Sequence, residues 1–144
     1  MDIAINENFS IAIYGFSGTA INKNWAATGM NLMNKMWQQV KAHGMKHKGI
    51  NVWVYEANDT MFAGVELEAP PKSETGLEYK KIHLPKYAHY KHIGPYNKIP
   101  ETGLKVRDEL DRKGIKTYLP YLEIYGHRAD DVSALETELL WCIE

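Results

Sequence analysis

The residues best equipped for chemistry fall in Tyr121-Leu122-Glu123-Ile124-Tyr125. Side chains alternate faces along a strand, so Leu122 and Ile124 point one way and Tyr121, Glu123 and Tyr125 point the other. One face is aliphatic. The other sets a carboxylate between two phenols, which suits a pocket for an apolar or cationic small molecule: the acid matches charge, and the phenols offer π faces and hydroxyls. Tyr and Glu are equally ordinary on the solvated side of an antiparallel sheet, so this strand alone leaves pocket and surface both open.

The elements that must position these residues are read along the chain. Ile11 to Ile21 is β-rich and reads as a first strand, with Gly15 and Gly18 suggesting a bend or bulge. Asn22 or Asn24 can cap the helix that follows, on which Ala26, Met30, Met33, Met36, Trp37 and Val40 recur at three- and four-residue spacing; Gly44 ends it. Asn51 to Glu56 alternates between Val52 and Val54 on one side and Trp53 and Tyr55 on the other. Ala57-Asn58-Asp59 turns it into a returning strand from Thr60 to Ala69.

Pro70 to Gly76 is a connector near the middle, and beyond it the same order begins again. A β-rich segment runs from Tyr79 to Ile93, Gly94-Pro95-Tyr96 turns, and Pro100 suits the first turn of a helix whose stripe is Ile99, Gly103, Val106 and Leu110 and whose end is Gly114. The Tyr121 to Tyr125 strand, a turn from Gly126 to Asp131 and a last strand from Leu135 to Ile143 complete it. Gly44 and Gly114, Met36 and Val106, Val40 and Leu110, Val52 and Leu122, and Tyr55 and Tyr125 all lie 70 positions apart (114 − 44, for instance). This is an internal repeat of strand, helix, strand, strand. The expected fold is α+β: one antiparallel sheet shared by both halves, two helices on one of its faces, and a cleft between the pseudo-symmetric halves. Residues 1–144 form a single domain on this reading, with halves of about 1–70 and 77–144.

The repeat lays Trp53 on Glu123, so Trp53, Tyr55, Tyr121, Glu123 and Tyr125 share one sheet face. Clustered exposed aromatics cost free energy and invite aggregation, which argues against a solvated face and for a pocket or a covered interface.

Composition narrows the partners. Seventeen basic and 18 acidic residues give a net charge of −1, so no nucleic-acid footprint is present. The single Cys142 cannot form an internal disulfide and has no His-plus-acid pattern nearby. The N-terminus lacks the charged and apolar regions of a signal peptide, and no apolar run nears the ~20 residues that span a bilayer; the cytoplasm is the expected location. The six histidines (His43, His47, His83, His89, His92 and His127) lack metal-ligand spacing, and Gly15 with Gly18 does not make a phosphate loop, so neither metal nor cofactor is expected.

His92-Ile93-Gly94-Pro95-Tyr96, the helix ending at Gly114, Leu122-Glu123-Ile124-Tyr125 and Thr137-Glu138-Leu139 follow in an order and spacing that resemble the GyrI-like family. These are small-molecule effector-binding domains of AraC-type and MerR-type multidrug regulators, also found alone. The final strand departs from the family, with Leu140-Trp141-Cys142 where an Ile-Pro pair is commoner. The resemblance implies a cleft between the halves for lipophilic cationic or aromatic compounds, with a buried glutamate as counter-charge. Glu123 matches the family's acid and Glu138 is the second candidate, so the ligand-binding set is Trp53, Tyr55, Tyr121, Glu123, Tyr125 and Glu138. It also implies an alternative, a hydrolase of electrophilic small molecules using a pocket Glu and Tyr, as in some stand-alone relatives; the aromatic face itself leaves another, an interaction module in which that face is covered by a DNA-binding partner protein or a second copy. No direct contact with nucleic acid or membrane is expected.

Overall fold

The computed structural model describes residues 1–126 and 131–144. Within them the chain runs β1 (Ala4–Thr19), α1 (Trp25–Ala42), β2 (His47–Tyr55), β3 (Thr60–Leu67), β4 (Glu78–Ile93), α2 (Ile99–Arg112), β5 (Thr117–Tyr125) and β6 (Glu136–Ile143). The turn expected between the last two strands lies in large part outside the described residues, as does His127.

Every strand pairing is antiparallel, and the shared sheet closes into a barrel in the order β1-β3-β2-β5-β6-β4, with β4 returning to β1. The two 16-residue strands close it, because each is long enough to pair with the other over most of its length and with a shorter strand at its end. β1 therefore begins at Ala4, well before the expected Ile11. Its first five residues are exposed and three of them, Asn6, Glu7 and Asn8, are polar, so pairing with β4 rather than a buried apolar pattern holds them in the sheet. The break expected at Gly15 and Gly18 falls instead at Asn8, whose φ is 60°, opposite Pro85, which has no N–H to give. The ladder pairs Glu7 with Lys86 and Phe9 with Leu84 but skips these two residues.

The barrel interior is apolar: Ile13, Val52, Val54, Phe62, Ile82, Leu84, Leu122 and Leu140 form one buried cluster. The opposite, outer face carries Trp53, Tyr55, Tyr121, Glu123 and Tyr125, and both helices cover it. Leu32 of α1 packs on Trp53, Met61 and Ala63, while Met36 and Val40 pack on Val65. On α2, Val106 and Leu110 pack on Ala88 and Ile143, and Ile99 on Tyr121 and Leu139. The buried stripe of α2 is the expected one. That of α1 is turned from the expected one: Gly29, Leu32, Met36 and Val40 are buried, while Met30 is 48% exposed. Gly44 (φ 56°) and Gly114 (φ 75°) follow the two helices in the left-handed conformation expected of them.

The 70-residue offset has a geometric meaning. Val52 pairs with Ile124 and Val54 with Leu122, so the offset exchanges the two pairs, and Trp53 pairs with Glu123 itself. A pseudo-two-fold axis therefore passes between Trp53 and Glu123. One cross-strand row runs Phe16-Ala63-Trp53-Glu123-Leu139-Tyr90, symmetric in position about that axis and not in chemistry.

α1 is one turn longer than α2 at its N-terminus, and Gly29, the first residue beyond that turn, lies over Trp53. A Cβ at Gly29 would lie 2.2 Å from Cζ3 of the indole, which no side chain tolerates without movement. Gly29→Ala is expected to lower stability by about 1–3 kcal/mol through overpacking. Urea denaturation of Gly29→Ala, Trp53→Leu and the double variant checks this. The double variant should be more stable than the sum of the single losses predicts, by at least about 0.5 kcal/mol, because the smaller Leu removes the clash.

Candidate ligand site

The site is built on the two central strands of the outer face. Tyr121 and Tyr125 flank Glu123 on β5, and Tyr55 of β2 pairs opposite Tyr121. All three phenols converge on one carboxylate. Tyr55 Oη donates to Glu123 Oε1 at 2.7 Å, Tyr125 Oη donates to the same oxygen at 2.6 Å, and Tyr121 Oη donates to Oε2 at 3.0 Å. Glu123 is 4% exposed. Among the described residues no lysine, arginine or histidine forms an ion pair with it.

Burial is the dominant influence on this acid and pushes its pKa up; the three phenol hydrogen bonds, and more weakly the nearby His92, pull it part of the way back. The phenols respond in the same sense. Burial first, and then the Glu123 charge, hold Tyr55, Tyr121 and Tyr125 far above the usual tyrosine range, so they remain donors at every ordinary pH.

Further aromatic rings complete a cage. Trp25, in the extra turn of α1, meets Tyr55 edge-on at 5.3 Å, and Trp53 and Tyr96 meet Tyr125 edge-on at 5.4 and 5.6 Å. Trp141 stacks on Tyr121 at 4.3 Å, and its Nε1 donates to the Gly103 carbonyl of α2 at 3.2 Å. A Cβ at Gly103 would lie 2.9 Å from Tyr121 Oη, so each helix turns a glycine to the ring it covers. Sequence reasoning missed Trp25, Tyr96 and Trp141. Tyr96 stood in a motif read as a turn and Trp141 in the segment read as departing from the family. Trp25 carried no signal beyond following Asn24.

Five of the six expected residues, Trp53, Tyr55, Tyr121, Glu123 and Tyr125, thus come together. Glu138 does not join them. It pairs opposite Ile124 and Lys91, one position out of step with Leu139, which is the partner of Glu123. It therefore belongs to the other face of the sheet, where it contacts the His89 imidazole and lies 3.9 Å from Lys91 Nζ. His92, from the turn motif, is buried and structural: its Nε2 donates to the Pro95 carbonyl at 3.1 Å and Thr102 Oγ1 lies 2.9 Å from Nδ1, which ties the end of β4 to α2.

Among the described residues, two buried polar atoms lack a hydrogen-bond partner, Trp53 Nε1 and Thr137 Oγ1, and both residues stand on the outer face. An orphaned buried donor costs about 1–3 kcal/mol. A groove of about 520 Å³ lies elsewhere, between the end of β1 and the start of α1, against Gly18, Ile21, Thr28, Asn31 and Lys35. It contains no acid and none of the five cage residues. The chemistry therefore points to the cage, which the protein's own rings fill.

No protein-family profile matches the sequence, and no curated protein matches it by sequence. Solved structures do match its fold. The EcmrR C-terminal domain superposes with a TM-score of 0.69 at 15% identity, over 99% of this chain and 97% of that one. In the EcmrR–DNA complex the score is 0.68 at 13% identity, and this chain spans 56% of the length of that one. SAV2435 bound to tetraphenylphosphonium gives 0.65 at 15% identity over the whole of this chain and 94% of the other. A hydrolase from Listeria innocua gives 0.57 at 10% identity, over 99% and 91%. The fold of this chain is thus that of the GyrI-like effector-binding domains, as its turn and strand motifs suggested.

Proposed function

We propose that this chain binds lipophilic cations, or cationic aromatic compounds, non-covalently in the cage around Glu123, as the sensing part of an effector response. The observation that carries this is a carboxylate buried among aromatic rings with three hydrogen bonds and no basic partner among the described residues. A buried acid in this state lacks a counter-charge, and an organic cation that displaces the outer rings supplies one while meeting π faces. That SAV2435, of the same fold, is bound to a lipophilic cation supports this reading, and EcmrR on DNA supports a regulatory setting. The aromatic face is covered by α1 and α2 of the same chain, which favours a pocket over a surface awaiting a protein partner.

Calorimetric titration of tetraphenylphosphonium tests the proposal. Glu123→Gln is expected to weaken binding by at least about tenfold, a loss of about 1.4 kcal/mol, and Glu138→Gln to leave it unchanged. Equal affinities for the wild type and Glu123→Gln would refute the cation reading. Recovery of an added electrophilic compound in hydrolysed form, lost in Glu123→Gln, would establish the hydrolase alternative that a Glu beside tyrosines allows.

The raised pKa of Glu123 adds a pH dependence whose sign is fixed. A bound cation favours the ionised acid, so affinity should rise with pH from the ordinary carboxylate range up to the raised value and then level off. Stability without ligand moves the other way. The folded state holds the proton more tightly than the unfolded chain, so this contribution is fully present below the unfolded carboxylate pKa and is lost as pH rises through the folded one. Urea midpoints compared across pH should show this decline in the wild type and not in Glu123→Gln.

A further inference from the structure

We infer that the cage has a second recognition point, Trp53 Nε1–H, and that its ligands are bifunctional: a cationic nitrogen for Glu123 with a hydrogen-bond acceptor, a carbonyl or ether oxygen, a few ångströms away. This rests on the cation-binding reading and specifies the ligand class further.

Trp53 is 7% exposed and its Nε1 is buried without a partner among the described residues. The direction of that N–H follows from what the other edge of the indole touches. Cε3, Cζ3 and Cη2 of the six-membered ring lie against Gly29 of α1, all within 2.6 Å of where a Cβ would stand there. The pyrrole edge is therefore turned away from Gly29 of α1. Trp53 is also the direct cross-strand partner of Glu123, and such partners hold their Cβ atoms about 4.5–5.5 Å apart. Yet the carboxylate does not take the indole proton: its oxygens accept from Tyr55, Tyr125 and Tyr121 instead.

Buried N–H groups are nearly always paired, and Trp141 in the same cage obeys this by donating to Gly103. Trp53 is the exception, beside the acid that calls for a cation. An acceptor placed two or three bonds from the cationic centre reaches Trp53 while the charge faces Glu123. A symmetric hydrocarbon cation satisfies only half of this arrangement.

The test uses two quaternary ammonium probes of nearly equal size, phenethyltrimethylammonium and phenacyltrimethylammonium, which differ by a CH₂ replaced by C=O. On the wild type the phenacyl probe should bind about tenfold more tightly, the effect of one buried hydrogen bond. Trp53→Phe should abolish that preference, bringing the two probes to equal affinity. In ¹⁵N-labelled wild type, one of the four indole N–H resonances should move downfield with the phenacyl probe and not with the phenethyl probe, a readout that needs no variant to fold. Equal binding of the two probes to wild type, or no indole shift specific to the ketone, overturns the inference while leaving the cation reading intact. Failure of Glu123→Gln to weaken the phenethyl probe overturns both.

Discussion

The interaction on which the rest depends is the clamp of three tyrosine hydroxyls on the Glu123 carboxylate. An acid with 4% of its surface exposed and no ion-pair partner among the described residues is admissible only if its oxygens accept hydrogen bonds. The requirement reaches outward. Three phenols must stand on one face, so β2 and β5 must pair in a register that sets Tyr55 opposite Tyr121. The rings must be shielded, so both helices lie over that face, and α1 has an extra turn to bring Trp25 to Tyr55. The rings must also fit under the helices, which is why Gly29 and Gly103 stand where they do.

Placing the acid on the pseudo-two-fold axis solves a packing problem that symmetry would otherwise create. Trp53 and Glu123 occupy equivalent positions and face each other, so one must be large where the other is small and charged. The helices compensate in the opposite sense. The equivalent of Gly29 at the same offset is Ile99, so the bulky indole lies under the glycine and the smaller acid lies on the half that carries the isoleucine. A symmetric pair would fail either way: two indoles would overfill the axis, and two acids would repel in a low-dielectric site. Duplication supplied the frame, and divergence at paired positions made a site with a charged side and a donor side.

What was legible in the sequence was what repeats at a constant spacing. The 70-residue offset holds through the buried turns of the helices and through β2 and β5, and it located the five central residues on one face. It fails for the flanking strands. Ala63 and Leu139 are equivalent but 76 positions apart, because four residues separate β2 from β3 and ten separate β5 from β6. With that phase lost, nothing in the local pattern told Glu138 from its neighbour, and in a strand one position decides the face. The α1 stripe was misread for a different reason. Apolar periodicity counts methionines and passes over glycine, yet Gly29 is the closest approach of α1 to the site. Closure of the sheet left no local mark, since it depends on pairing between the polar start of β1 and the middle and end of β4.

The clamp also bears on how a cage filled by its own side chains can serve a ligand. Tyr55 and Tyr125 share Oε1, whereas Oε2 accepts from Tyr121 alone and keeps a lone pair free. A cation approaching from the side of Oε2 need not break the two shorter bonds, so the acid stays held while one wall opens. A phenol that donates to a carboxylate also gains electron density on its ring, as linked hydrogen bonds polarise one another, and a richer ring attracts a cation more strongly. Tyr125 meets Trp53 and Tyr96 edge-on, so neither ring lies flat against it. On the cation-binding proposal, the same three bonds that make the buried acid tolerable in the folded chain would also prepare the surrounding rings for a positively charged guest.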